Sequence, residues 1–179
     1  MRILLLTDIP PCKNLTAGLV LDQLFRFLPQ HSFVCFAVTN PEIAPKLSAD
    51  LANVPIEYRD KPRETYLTKP GEPVAMRELG SLIHEAYSEK FSVRRLVRQA
   101  ARFGRTHKVD AVWAVLQGQT IIRMAAPLSK RLNVPLFTQV WDPVSWWLLA
   151  NNVDARSSRR VKAEFDNAIR HSRSCAAAS

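Results

Sequence analysis

Apolar and polar positions along the chain follow two rhythms in turn. Ile3, Leu4, Leu5 and Leu6 are continuous rather than alternating, as expected of a strand covered on both faces and hence of a parallel sheet. After a polar loop, Val20, Leu21, Leu24, Phe25 and Leu28 recur at helical spacing and make one broad apolar stripe on an amphipathic helix. Ser32–Thr39 is a second apolar run, rich in β-branched and aromatic residues and closed by Asn40-Pro41, and reads as a strand. Glu42–Asn53 suits a short helix, and Pro55–Arg59 a short third strand with its proline at the tolerated first position. Asp60–Pro73 carries Pro62, Pro70, Gly71 and Pro73 among charges and reads as a loop able to move.

From Glu78 to His107 the spacing is helical, with Leu79, Leu82, Ile83, Ala86 and Tyr87 followed by Leu96, Val97, Ala100, Ala101 and Phe103. A break is expected near Phe91-Ser92. Val109–Leu116 is the next buried strand, and Gln117-Gly118-Gln119 turns the chain into a helix carrying Ile121, Ala125, Leu128 and Leu132. Pro127 falls inside that helix, where its missing donor and ring clash cost about 3 kcal/mol unless the helix kinks or starts later. Pro135–Val140 makes another strand, ending at Trp141-Asp142-Pro143, and Ala155–Arg173 is a basic helix leading into a small-residue strand, Ser174–Ala178. Strand and helix alternate throughout, so the economical fold is α/β: a doubly wound parallel sheet with helices on both faces.

A chain of 179 residues, 47% apolar and 23% charged, buries one sizeable core, and its length favours a single domain, 1–179. No stretch is apolar for long enough to span a bilayer, and the leucines after Met1-Arg2 are too few for a signal peptide, so a cytoplasmic address is expected. Cys12, Cys35 and Cys175 are odd in number and widely spaced, which suits free thiols and implies no metal site. His31, His84, His107 and His171 likewise lack metal-ligand spacing. A net charge of +9 and a pI of about 9.9 attract anions: nucleic acid, anionic lipid, or phosphate- or carboxylate-bearing substrates. Nucleic acid is disfavoured, since the basic residues are not interleaved with aromatics and no helix-turn-helix, finger or RNP pattern is present.

In an open parallel sheet ligands bind outside the carboxyl ends of the strands, which directs attention to three loops. In the first, Asp8 either meets a ligand hydroxyl or ties down its own loop. Gly18, with the amides of Leu19 and Val20, either seats an anion at a helix mouth or serves only to start the helix. Cys12, beside Lys13, is either a reactive thiol or a bystander. In the second loop, Gln117, Gly118 and Gln119 bring amides that both donate and accept, as hydroxyl-rich ligands require; the alternative is a turn with polar filler. In the third, Trp141, Asp142, Trp146 and Trp147 place indoles, on which sugar C–H faces stack, beside a carboxylate. Adjacent helical residues diverge by about 100°, so one of Trp146 and Trp147 is expected in the core. Asp142-Pro143 reads equally as a cap and first-turn proline. Arg94, Arg98 and Arg102 recur every fourth residue, forming either a solvated basic edge or a contact with anionic lipid.

Taken together, RILLLTDIPP with AGLVLDQLFRFL, HSFVCFAVT, VDAVWAVLQGQ with LSKRLNVPLFTQVWDP, and FDNAIRHSRSCAAAS resemble the N-terminal half of GT-B-fold retaining glycosyltransferases of the glycogen-synthase-like family. The resemblance spans nearly the whole chain and implies one of two Rossmann-like halves, this one binding the acceptor and a C-terminal half binding the nucleotide-sugar donor. The donor half and its pair of glutamates are not in these 179 residues, so the chain by itself is expected to transfer nothing. The implied partners are a sugar or lipid-linked acceptor, the donor half, and an anionic membrane surface through Arg94, Arg98 and Arg102, which would place the protein peripherally at the inner face. No cofactor is implied beyond the donor. Two departures stand out: Trp141-Asp142 replaces the family's frequent His-Asp, which removes the usual general-base candidate, and Ala17-Gly18 replaces paired glycines. A reading from another class is a non-catalytic α/β module that binds an anionic ligand or a protein partner.

Overall fold

The structure, a computed structural model, describes residues 1–29, 31–64 and 73–177. Its strands are β1 (Ile3–Thr7), β2 (Phe33–Thr39), β3 (Ile56–Asp60), β4 (Ala111–Val115), β5 (Leu136–Val140) and β6 (Ser172–Ala177). Its α-helices are α1 (Thr16–Phe25), α2 (Val74–Tyr87), α3 (Arg94–Thr106), α4 (Gly118–Leu132), α5 (Val144–Ala150) and α6 (Ala155–His171). All strand pairs are parallel, in the order β3-β2-β1-β4-β5-β6, with Leu5 opposite Cys35 on one side and Trp113 on the other. The fold is α/β, Rossmann-like and doubly wound. The first three strands step outward in one direction from β1 and the last three in the other from β4, so the order reverses between β1 and β4 and opens a crevice at their carboxyl ends.

The continuous apolar runs have the expected cause. Leu4, Leu6, Phe36, Val38, Val112 and Ala114 face the core shared with α3, α4 and α6, whereas Leu5, Phe33, Cys35 and Ala37 face the opposite core with Leu21 and Phe25 of α1. Of the α1 stripe, only Leu21 and Phe25 are fully buried; Val20 and Leu24 are exposed.

Four local departures have physical reasons. Glu42–Asn53 forms no helix beyond a single 3-10 turn, Ala49–Leu51, because Pro41 and Pro45 interrupt helical hydrogen bonding. Asn14 instead holds the segment, donating to the Ala44 carbonyl at 2.9 Å and accepting from the Lys46 amide at 2.8 Å. At Phe91-Ser92 the helix does not break; a π-helical turn, Ser88–Val93, carries α2 into α3, a device that takes up one extra residue without ending the helix. α4 runs through Pro127, whose ring lies exposed at its surface, and stops at Asn133, which takes the left-handed conformation at φ 58°. β6 begins at Ser172, and its last expected residue, Ala178, lies outside the described residues, as does 65–72 of the expected Asp60–Pro73 loop.

Candidate functional site

Parallel strands bring every carboxyl end to one rim. Asp8 follows β1, Lys61 and Glu64 follow β3, Gln117–Gln119 follow β4, and Trp141 and Asp142 follow β5. Three of these loops are tied together by charge. Lys61 Nζ lies 3.4 Å from Asp8 Oδ2 and 3.1 Å from Glu64 Oε2, and Glu64 Oε1 accepts the Thr120 amide at 2.7 Å. Glu64 therefore occupies the amino end of α4, where unpaired amides and the helix dipole favour a negative charge.

Gly118 makes this possible. Its φ is +72°, and a Cβ there would stand 2.8 Å from both Glu64 Oε2 and Lys61 Nζ. Burial pushes the Asp8 carboxyl above the usual carboxylate range, with Lys61 opposing and Glu64 reinforcing the shift; Asp8 Oδ1 is buried without a hydrogen-bond partner among the described residues. For Lys61, burial works against the charge, but Glu64 and Asp8 outweigh it and hold the ammonium above its ordinary value.

Beside this network, the loops after β4 and β5 and the helix α5 enclose a cavity of about 270 Å³, walled by Gln117, Gly118, Trp141, Asp142, Trp146 and Trp147 among others. Gln117 Oε1, an acceptor, and Trp141 Nε1, a donor, are buried with no partner among the described residues. Gln119 is buried too, with Oε1 unpaired, but it is not among the residues of this wall. Trp141 leans on the α1-side core and Trp147 on the other core. Trp146 is 66% exposed. Both adjacent indoles thus contribute to the wall, Trp147 doing so while also packing inward. Asp142 is exposed, and it is not a helix cap, since the residue before α5 is Pro143 and no side chain bonds to that end.

Gly18 is organised differently. α1 starts at Thr16, so the Leu19 amide is already spent on the Leu15 carbonyl at 2.8 Å. A Cβ on Gly18 would stand 2.1 Å from Cys12 Sγ and 2.9 Å from the Pro10 carbonyl oxygen. The glycine lets the first loop fold flat onto α1, and the carboxylate-filled helix mouth is that of α4. Cys12 is buried beneath this loop. Thr7 fastens the start of the loop by donating to the Ile9 carbonyl at 2.8 Å and accepting the Ile9 amide at 3.2 Å, the role considered for Asp8.

Lys61 and Glu64 did not stand out in the sequence because they lie in a proline-rich stretch with no periodicity; their only signal was position, just past a strand's carboxyl end. Arg94, Arg98 and Arg102 are exposed along α3. Among the described residues no group of His, Cys, Asp and Glu could hold a metal ion, and no helix is long and apolar enough to cross a membrane.

These features define an α/β Rossmann-like domain with a polar and aromatic rim at its topological switch point. No protein-family model and no curated protein matches the chain. Among solved structures, apo UGT2 of Phytolacca americana is similar at a TM-score of 0.40 and 12% identity, over 83% of this chain and 31% of that one. The chain thus spans about a third of that protein's length.

Proposed function

We propose that this chain is the acceptor-binding half of a GT-B retaining glycosyltransferase, with the nucleotide-sugar donor held by a second half facing the rim. One observation carries the reading: Gln117 and Trp141, which carry a buried acceptor (Oε1) and a buried donor (Nε1) without partners among the described residues, line one indole-walled cavity. Buried polar atoms are seldom left unpaired in native folds, and a ligand hydroxyl, which donates and accepts at once, would satisfy both. The apolar C–H face of a sugar ring is suited to the tryptophans. The sequence resemblance supplies the reaction class.

In this reading no side chain forms a covalent bond to the sugar. The leaving phosphate oxygen takes the acceptor's proton, and the domain contributes orientation and electrostatics, consistent with Trp141 standing where the family often has histidine. The test is equilibrium binding of a panel of alkyl glycosides and of nucleotide sugars to the wild-type chain and to Trp141→Ala. Saccharide binding should fall about tenfold or more in the variant, with nucleotide-sugar binding weak and unchanged. Equal loss of both, or binding of nucleotide sugar alone, would overturn the acceptor role.

A further inference from the structure

A second cavity, of about 580 Å³, lies over the outer face of α4 between α3 and α6. Among the described residues, this cavity and the rim cavity share Ile122 alone in their walls. Its walls carry Arg94 and Arg98 from α3, Arg123 and Arg131 from α4, and the carboxylate of Glu164 from α6. That carboxylate is committed. Buried Arg123 donates to Glu164 Oε2 at 2.7 Å, and Arg160 approaches Oε1 at 3.3 Å. Among the described residues, Arg94, Arg98 and Arg131 have no carboxylate within ion-pair distance.

Three uncompensated guanidiniums around a concavity floored by Val97, Ile122 and Pro127 focus positive potential, because low-dielectric walls confine the field. Arg94 and Arg98 stand four apart on one helix, a like-charge spacing that costs stability in the empty state. Planar guanidinium forks match the oxygens of a phosphoryl group in pairs. We propose that this groove is a phosphate-binding site for a ligand carrying at least two negative charges, a site independent of the acceptor reading. The surroundings extend the ligand's description. Met76, Leu79, Ile83, Tyr87 and Phe91 are exposed apolar residues three or four apart along α2 and the π turn, and this row stops one turn short of Arg94. A lipid phosphate would use both features; a soluble phosphate would use the groove alone.

Calorimetric titration of the chain with pyrophosphate at low ionic strength tests the site. Arg98→Gln and Arg131→Gln should each weaken binding about tenfold, while Arg159→Gln, exposed on α6 outside the groove wall, should leave it unchanged. Both groove arginines are exposed, so unchanged urea midpoints should accompany the loss. A second arm measures co-sedimentation with phosphatidylcholine vesicles with and without phosphatidic acid, whose phosphomonoester carries up to two negative charges. Binding to the anionic vesicles that is lost in the groove variants and in Ile83→Ser supports the site and assigns a lipid source; pyrophosphate binding without vesicle binding supports it with a soluble source. Equal loss in Arg159→Gln and Arg98→Gln, or no binding of either probe, would overturn the proposal.

Discussion

Replacing Gly118 by alanine should destabilise the fold through two separable costs. The first is conformational: at φ +72° an L-residue pays about 1–2 kcal/mol for a left-handed backbone. The second is displacement. A Cβ 2.8 Å from Glu64 Oε2 and Lys61 Nζ forces the carboxylate off the Thr120 amide, a hydrogen bond to a charged group contributing about 1.5–3 kcal/mol. Together they give about 2.5–5 kcal/mol in urea unfolding. In a Glu64→Ala background the carboxylate is gone and only Lys61 Nζ, the end of a flexible side chain, still faces the new Cβ; once that side chain swings aside, the same substitution should cost little beyond the backbone share, about 1–2 kcal/mol. The double-mutant cycle therefore carries a coupling of about 1.5–3 kcal/mol. Additivity within about 0.5 kcal/mol would refute the placement of Glu64 in the mouth of α4.

Three further outcomes follow from the same geometry. Gly18→Ala should cost about 2–3 kcal/mol by overpacking, and Cys12→Ala should recover only part of it in urea melts, because the clash with the Pro10 carbonyl oxygen, a backbone atom at 2.9 Å, remains. Asp8 is raised by burial, so the folded state binds its proton more tightly than the unfolded chain and stability falls as pH rises above the ordinary carboxylate range. Asp8→Asn should therefore match wild type at low pH and gain over it as pH climbs toward neutrality; a gain largest in acid would contradict the sign. Cys175 is exposed on the edge strand, Cys12 and Cys35 are buried, and burial pushes the Cys35 thiol well up. A thiol reagent should thus modify Cys175 alone in the native protein and all three after denaturation.

What could be read in the sequence, and what could not, divides along physical lines. β1, β2 and β4 were legible because strands covered on both faces leave unbroken apolar runs, and β5 because Pro135 and Trp141-Asp142-Pro143 bound a short mixed run; four strands separated by helical spacing leave few topologies. The rim positions of Asp8, Gln117 and Trp141 follow from that topology alone. Less visible was anything set by one residue's surroundings. Gly18 and Gly118 look alike as letters after a strand, yet one is fixed by a thiol and the other by a carboxylate more than fifty residues away. The π turn joins two helices where composition suggested a break, because a chain can absorb an extra residue when packing on both sides holds it. Glu64 and Lys61 carry no periodic signature, and the arginine groove needs three helices to assemble; neither is written in any local stretch.

The most direct measurement of the rim as an acceptor site is an ¹⁵N–¹H titration of the chain's tryptophan indoles with alkyl glycosides. Because Trp141 lines the cavity and its Nε1 is buried with no acceptor among the described residues, its resonance should shift saturably and more than that of Trp113, which lies in the α1-side core. An unmoved Trp141 resonance across the glycoside panel, or equal shifts in all four indoles, would contradict it.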